Sequence, residues 1–389
     1  MDCVISTPLK HVLLNMLRRG GPITFERYMA TCLYHPEFGY YTQGRERTGV
    51  GGDYFTSSDL HPVFARLVAR QAAEMWEVLG RPKPFTWVEM GAGRGLFASD
   101  FLSWAPRALP EFAAALDYVV IEPGARQRQQ IAERLAGAGV MGSFRMAANL
   151  EELAPVAGCF FSNELVDAFP VHVATRTEGR LKEIHVAAVG EELHENTGPL
   201  SGPAVAAYVA RYAHHLEESH RMEVNLHGSS WIHAVAEKLI RGFVVTIDYG
   251  DVASRLYTSD RPRGTLLAYR GHTATEDLYS APGETDLTAH VNFSALVDAG
   301  KSCGLEFRGF TTQEKFLLAL GEANQFADLY DPPQTETQML QARLKLKRLI
   351  SPEGMGNIFK VFVQARGAPQ AELTGWKFER QESESRRWA

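Results

Sequence analysis

The chain has 389 residues, which at roughly 150 residues per domain allows two or three domains and a large buried core. Apolar residues make up 45% and charged residues 22%, so disordered, collagen-like and coiled-coil readings are set aside. Lys and Arg number 40 against 46 Asp and Glu, a formal charge of −6, which argues against nucleic acid as the main partner.

The N-terminal stretch MDCVISTPLKHVLLNMLRRG places its apolar residues at helical spacing and lacks the apolar block of a signal peptide. With Asp2 and the early onset of the helix, it points to a native cytoplasmic N-terminus. Cys3, Cys32, Cys159 and Cys303 show no CxxC spacing, which speaks against a disulfide scaffold or a zinc site and fits a reducing compartment. No apolar run reaches the ~18 residues of a membrane span.

Helical spacing recurs over Leu9 to Leu17 and Val63 to Leu79. Between them lies a loop rich in Gly, Tyr and Thr that holds Tyr34, Phe38, Tyr40, Tyr41, Tyr54 and Phe55. A loop of this length with this many aromatics is expected to close over a ligand, or else its rings pack beneath it. Ser57, Ser58 and Asp59 have the chemistry to cap a helix starting near His61 and Pro62.

From Phe85 the pattern becomes short apolar runs separated by amphipathic helices. FTWVEM (85–90), YVVIEP (118–123), CFFSNE (159–164) and GFVVTIDYG (242–250) read as strands, and LEFRGF and IFKVFVQA read as a terminal hairpin at one sheet edge. This is the signature of an open, mostly parallel α/β sheet, whose ligands bind at the carboxyl ends of the strands. Residues 171–189 alternate about Glu178-Gly179, a hairpin signal. Residues 250–290 read as a long polar loop, and the tail after Ala365 as frayed.

The chemistry concentrates at the strand ends. Glu89, Gly91, Gly93 and Gly95 bridge a strand and a helix, where missing Cβ atoms let the backbone turn and approach a ligand. The third glycine comes one residue too early for a dinucleotide fingerprint, and Glu89 would repel a pyrophosphate, so a nicotinamide-dependent oxidoreductase is disfavoured. Glu122 ends the next strand, placed to accept from two ribose hydroxyls. Together these residues point to S-adenosyl-L-methionine (SAM), which has a ribose and a cationic end but no phosphate. Asn163, Glu164 and Asp167 follow a later strand, beside the place where the methyl group would project; Asn163 and Asp167 read alternatively as caps of a short turn.

The blocks ITFERYMATCLYHPEFGYYT, GGDYFTSSDLHPVFARLVARQ, VEMGAGRGLFASDFL, FSNELVDAFPVH, GTLLAYRGHT and DLTAHVNF resemble the MidA/NDUFAF7 family (DUF185) of SAM-dependent methyltransferases over about residues 8 to 365. The resemblance implies a class I, Rossmann-like, seven-stranded α/β methyltransferase fold with an N-terminal helical extension. The division it implies is an extension over 1–80, a methyltransferase domain over 81–365 with insertions near 171–240 and 250–290, and a polar tail over 366–389. It carries Glu89, Gly91, Gly93, Gly95 and Glu122 over as the cofactor site, and Glu164, Asp167 and Asn163 as the catalytic, acceptor-lining residues. It also implies protein arginine methylation, linked in mitochondrial matrix relatives to a subunit of respiratory complex I. Asn292 stands where the family block has Asp.

The functional expectation is methyl transfer to a nitrogen, foremost a protein arginine; the rival is a non-catalytic SAM-binding assembly factor. Secondary candidates are Glu223 as a third acid, Asp248 and Tyr249 at the end of a strand, and His35, His61, His272 and His290 as cleft residues. None of these histidines has metal-ligand spacing.

Overall fold

The computed structural model describes residues 7–44, 49, 52–53, 55–140, 144–213 and 216–378. The readings made on the first six residues, including Cys3, on Tyr54 and on the tail beyond residue 378 lie outside these.

Seven strands form the central sheet: β1 (Phe85–Met90), β2 (Leu116–Ile121), β3 (Phe144–Ala147), β4 (Val156–Asn163), β5 (Leu239–Asp251), β6 (Glu306–Thr312) and β7 (Phe359–Arg366). Their order is β6-β7-β5-β4-β1-β2-β3, with β7 antiparallel to both neighbours and the other pairings parallel. The sequence expectation of a mostly parallel seven-stranded sheet closed by a hairpin is therefore met. A two-residue strand, Val291–Asn292, adds on to the end of β5.

These strands form where they do because helices cover both sheet faces, and successive side chains go to opposite sides. Trp87, Phe161 and Val245 enter one core with Phe64, Phe97, Phe101 and Phe316. Val88, Phe160 and Val244 enter the other with Trp231, Ile232, Phe293 and Leu296. In register, Met90 faces Ser162 and Asn163 faces Ile247, so β1 and β4 end beside the middle of β5. Gly91 and Glu164, which follow β1 and β4, and Asp248, within β5, are thereby gathered at one edge.

A second, antiparallel sheet orders Ile23–Thr24, Arg180–Val189, His172–Thr177 and Arg221–Val224, with Glu192–Gly198 also on Arg180–Val189. The hairpin turn lies where the sequence placed it, with Glu178 and Gly179 at φ 54° and 70°, the left-handed pair a two-residue hairpin requires. Helix Pro8–Gly20, capped by Thr7, and helix Phe25–Tyr34 bury Leu13, Leu17, Tyr28 and Met29 against Val173, Ile184, Val186 and Leu287. The helix Val63–Val78 instead packs on the central sheet. Residues from 9–40, 171–193 and 268–289 thus share one core.

Three expectations are corrected. The stretch after Ala365 is not frayed as far as residue 378: Leu373 and Trp376 are buried in the core beside the central sheet, and the Thr374 N–H and hydroxyl donate to Glu74. Residues 250–290 are not a plain loop: Leu267–Arg270 pairs with both Thr273–Thr275 and Asp286–Thr288 in a small antiparallel sheet, after a helical turn Ala253–Leu256. Its strands are three or four residues long and one is wholly exposed, too short for alternation to register. Ser57, Ser58 and Asp59 do not cap the helix after Pro62; they belong to their own turn, Ser57–Leu60, where Thr56 and Asp59 form a capping box. Among the described residues, no helix is long and apolar enough to cross a membrane.

Candidate active site

The turn after β1 holds Gly91, Gly93 and Gly95 at φ 73°, 54° and 71°, a conformation that L side chains rarely adopt. A Cβ on Gly91 would lie 2.9 Å from Leu165 Cδ1, and one on Gly95 2.9 Å from Ile131 Cγ2. Those two glycines let the turn pack against its neighbours. A Cβ on Gly93 would meet nothing within 4 Å, so the cradle beside it is open.

Glu89, the fifth residue of β1, is buried and accepts the Tyr118 hydroxyl at 2.6 Å. Burial pushes its carboxyl up to about 7, against the pull of that hydrogen bond. One of its oxygens is thus committed to β2 rather than to a ligand. Glu122 follows β2 directly; its Oε1 accepts the Gly124 N–H at 3.1 Å, and burial raises its pKa.

At the end of β4, Glu164 leaves the strand at φ 55°, a left-handed conformation unusual for a residue with a side chain. Its N–H donates to the Ile247 carbonyl of β5 at 2.9 Å. The carboxylate accepts the Asn163 amide at 2.9 Å and the Ser57 N–H at 3.3 Å. Burial, with Asp167 adding repulsion, pushes its pKa up to about 8. The turn that follows hangs on Asp248: its Oδ2 accepts the N–H groups of Leu165, Val166 and Asp167 at 3.2, 2.9 and 3.3 Å. Burial drives Asp248 well above the usual carboxylate range, Asp167 and Glu164 add to this, and the amide donors oppose it.

Asp167 accepts the Tyr249 hydroxyl on Oδ2. Its Oδ1, like Asn163 Oδ1, is buried with no hydrogen-bond partner among the described residues. Burial raises Asp167 as well. The alternative of Asn163 and Asp167 as caps does not hold, because Asp248 takes the amides of the turn. Tyr34 is 41% exposed, and its hydroxyl donates to the Ala168 carbonyl at 2.9 Å.

The aromatic loop is held from both sides. Tyr41 donates to Asp286 at 2.7 Å, and Gln127, in the helix after Glu122, donates to the Tyr41 carbonyl at 2.8 Å. Phe55 stacks on His272 at 4.9 Å. Tyr40 is fully buried, in line with the packing alternative for that ring.

Other candidates fall to structural roles. Glu223 is buried, and its Oε1 accepts the Thr265 and Leu266 N–H groups at 2.6 and 3.2 Å, so it anchors a turn. His61 Nδ1 accepts the Val63 N–H, and His35 Nδ1 those of Glu37 and Phe38. His290 packs edge-on against Tyr249 at 5.5 Å and is thus the histidine next to the acid cluster; burial lowers its pKa to about 4. Asn292 caps helix Phe293–Ser302 through its oxygen and donates to Tyr208 through its nitrogen, a dual use that an aspartate would lack. Asp286 and the pairing of Arg94 with Asp59 had no signal in the sequence beyond the presence of charge. Among the described residues, no group of three His, Cys, Asp or Glu could hold a metal ion.

A glycine turn with an open cradle, an acid after the next strand and an acid cluster after β4 thus stand together at one end of the central sheet. The model of the S-adenosyl-L-methionine-dependent methyltransferase family matches residues 67–311. The chain belongs to this family. The methyltransferase is 28% identical over 386 residues to the Danio rerio protein arginine methyltransferase NDUFAF7, mitochondrial, covering 91% of this chain and 86% of the relative. It is 26% identical over 412 residues to the Homo sapiens NDUFAF7, covering 98% and 88%. It also superposes, with a TM-score of 0.85 and 29% identity, on a crystal structure of a Burkholderia thailandensis protein bound to S-adenosyl-homocysteine, covering 95% of this chain and 97% of that one. The resemblance drawn from the sequence blocks is thereby borne out, and with it SAM as the cofactor. The site fits that cofactor: the cradle at Gly93 is one that a Cβ would fill, and Glu122 supplies a hydroxyl acceptor.

Proposed function

We propose that this methyltransferase modifies an arginine of a partner protein. The observation that carries the reading is the pair of buried acceptors without donors, Asp167 Oδ1 and Asn163 Oδ1, beside Glu164. A guanidinium brings five N–H donors in a planar fork and a positive charge, which matches acceptors of this kind better than a hydroxyl or a carbon acid does. The names of the relatives, protein arginine methyltransferases, support the same reading.

In this proposal Gly91, Gly93 and Gly95 give the cofactor close backbone approach, Glu122 accepts from its ribose, and Glu89 stiffens the end of β1 through Tyr118. When bound, SAM supplies an electrophilic methyl group on a sulfonium. Glu164 and Asp167 pair with the guanidinium charge, while Asn163 orients the acceptor. Tyr249 holds one oxygen of Asp167, and Asp248 holds the turn that carries both acids. An arginine keeps its proton in water, with a pKa above about 12, so a nitrogen becomes nucleophilic only as its proton leaves. Glu164, held near 8, is poised to accept that proton.

The test is transfer of labelled methyl from SAM to protein in a cell extract, with the product identified as methylarginine by mass spectrometry. Glu164→Gln should keep SAM binding and lose about tenfold or more of the transfer, the lower part of what a positioned acid–base group contributes. Full activity in both Glu164→Gln and Asp167→Asn overturns the assignment. Absence of transfer from the wild type, with a partner complex still impaired by deletion, favours the non-catalytic SAM-binding assembly factor instead.

A further inference from the structure

The helix Glu336–Ile350 lies away from the strand ends in sequence yet is tied to the acid cluster. Gln313 donates to its Leu349 carbonyl at 3.1 Å, Ser57 Oγ donates to Gln313 Oε1 at 3.0 Å, and the Ser57 N–H reaches Glu164. Arg348 sits over the ring of Phe55 at 5.5 Å, at the end of the aromatic loop. The helix buries Ala342, Leu346 and Leu349. On its other side Leu340 and Leu344, one turn apart, are 58% and 57% exposed.

Between Met339 and Ile350 the helix carries Arg343, Lys345, Lys347 and Arg348 and no acid, on a chain whose net charge is −6. Neither Lys345 nor Lys347 forms an ion pair among the described residues. Two exposed leucines framed by more cations than acids are a face with something to gain from an apolar, anionic partner. The acid cluster of Glu164, Asp167 and Asp248 takes the opposite sign when a cation enters it and its carboxyls ionise.

We propose that this helix face docks a stretch of the protein substrate flanking the acceptor arginine, and that the stretch is acidic and carries apolar side chains. A substrate of that kind satisfies both fields at once, its arginine in the acid cluster and its carboxylates on the cationic helix. A phosphate polymer would match the helix but bring no cation or fork of donors to the cluster. The inference rests on the proposed protein-arginine reading.

The test uses the full chain and a fluorescent synthetic peptide with one arginine flanked by glutamates and leucines, followed by anisotropy. The peptide should bind, and added salt should weaken it, since exposed charges are screened. Lys345→Glu with Lys347→Glu, and separately Leu340→Ser with Leu344→Ser, should each weaken it by about tenfold or more, with SAM affinity unchanged. Equal peptide affinity in both double variants overturns the proposal. So does loss, in those variants, of binding to phosphatidylglycerol vesicles or duplex DNA with no effect on the peptide. Because docking is read without turnover, the two readings separate. A peptide that docks on the helix but gains no methyl group sinks only the arginine reading. Methylation of a short arginine peptide, with the long peptide's KM unmoved in the variants, sinks only the docking face.

Discussion

Arg94, inside the glycine turn, forms an ion pair with Asp59, whose other oxygen accepts the Thr56 N–H and hydroxyl at 2.9 and 2.8 Å. Two residues before Asp59, the Ser57 N–H reaches Glu164 at 3.3 Å. One side chain of the glycine turn therefore steadies the helical turn that holds the Glu164 carboxylate.

Removing Arg94 leaves a nearly fully buried carboxylate, since the Asp59 side chain is 2% exposed. Arg94→Ala should therefore destabilise the fold by about 3 kcal/mol, the low end for breaking a buried pair, and Asp59→Asn by less, because a neutral amide can still accept from Thr56. Chemical denaturation of the two variants decides it. Equal midpoints to wild type would mean that the pair is incidental.

Gly93→Val places a β-branched side chain at φ 54° in a cradle otherwise open. The variant should fold with a loss of about 1–2 kcal/mol for the left-handed conformation. Isothermal titration should then detect no SAM binding. Undiminished affinity would remove the cofactor from this turn.

Glu122→Gln keeps an acceptor for the Gly124 N–H but loses the charge offered to the ribose hydroxyls. We expect SAM affinity to fall by about 1.5–3 kcal/mol, the range for hydrogen bonds to charged groups, with no change in thermal unfolding. A change below about twofold would return Glu122 to a purely turn-stabilising role.

Glu164 carries the pH dependence. Its pKa is raised from the ordinary carboxylate range to about 8 by burial, so between those limits the folded chain holds a proton that the unfolded chain has released. Stability of the ligand-free protein should therefore fall as pH rises toward 8, and Glu164→Gln should flatten that slope. In the same window kcat/KM should rise with pH, because the deprotonated carboxylate is the competent form. Denaturation midpoints and initial rates at several pH values check both signs; stability that climbs with pH through this window would contradict the assignment.

The segment from Tyr34 to Gly44 is expected to act as a lid or channel wall, pinned by Tyr41 to Asp286 and by Gln127 to the Tyr41 carbonyl. Its amide hydrogens should exchange more slowly once S-adenosyl-homocysteine is added. Identical exchange with and without ligand would leave only packing as its role.

The sequence by itself determined the sheet and the glycine turn after β1. Strands covered by helices on both faces become continuous apolar runs, as in FTWVEM and CFFSNE, and a left-handed turn in front of a ligand needs glycine, as at Gly93. The left-handed pair Glu178 and Gly179 was legible for the same reason. Only the tertiary structure decided which acids stay available for chemistry. Glu223 and Glu164 look alike in sequence, but the fold brings two backbone N–H groups of Thr265 and Leu266 to Glu223 and leaves Glu164 beside Asp167 in the acid cluster. Asp248 and the turn it holds lie more than 80 residues apart, and Arg94 and Asp59 lie 35 apart. Periodicity reports the local exposure of a side chain; a carboxylate's hydrogen-bond partners and its pKa depend on groups that the chain brings together only when it folds.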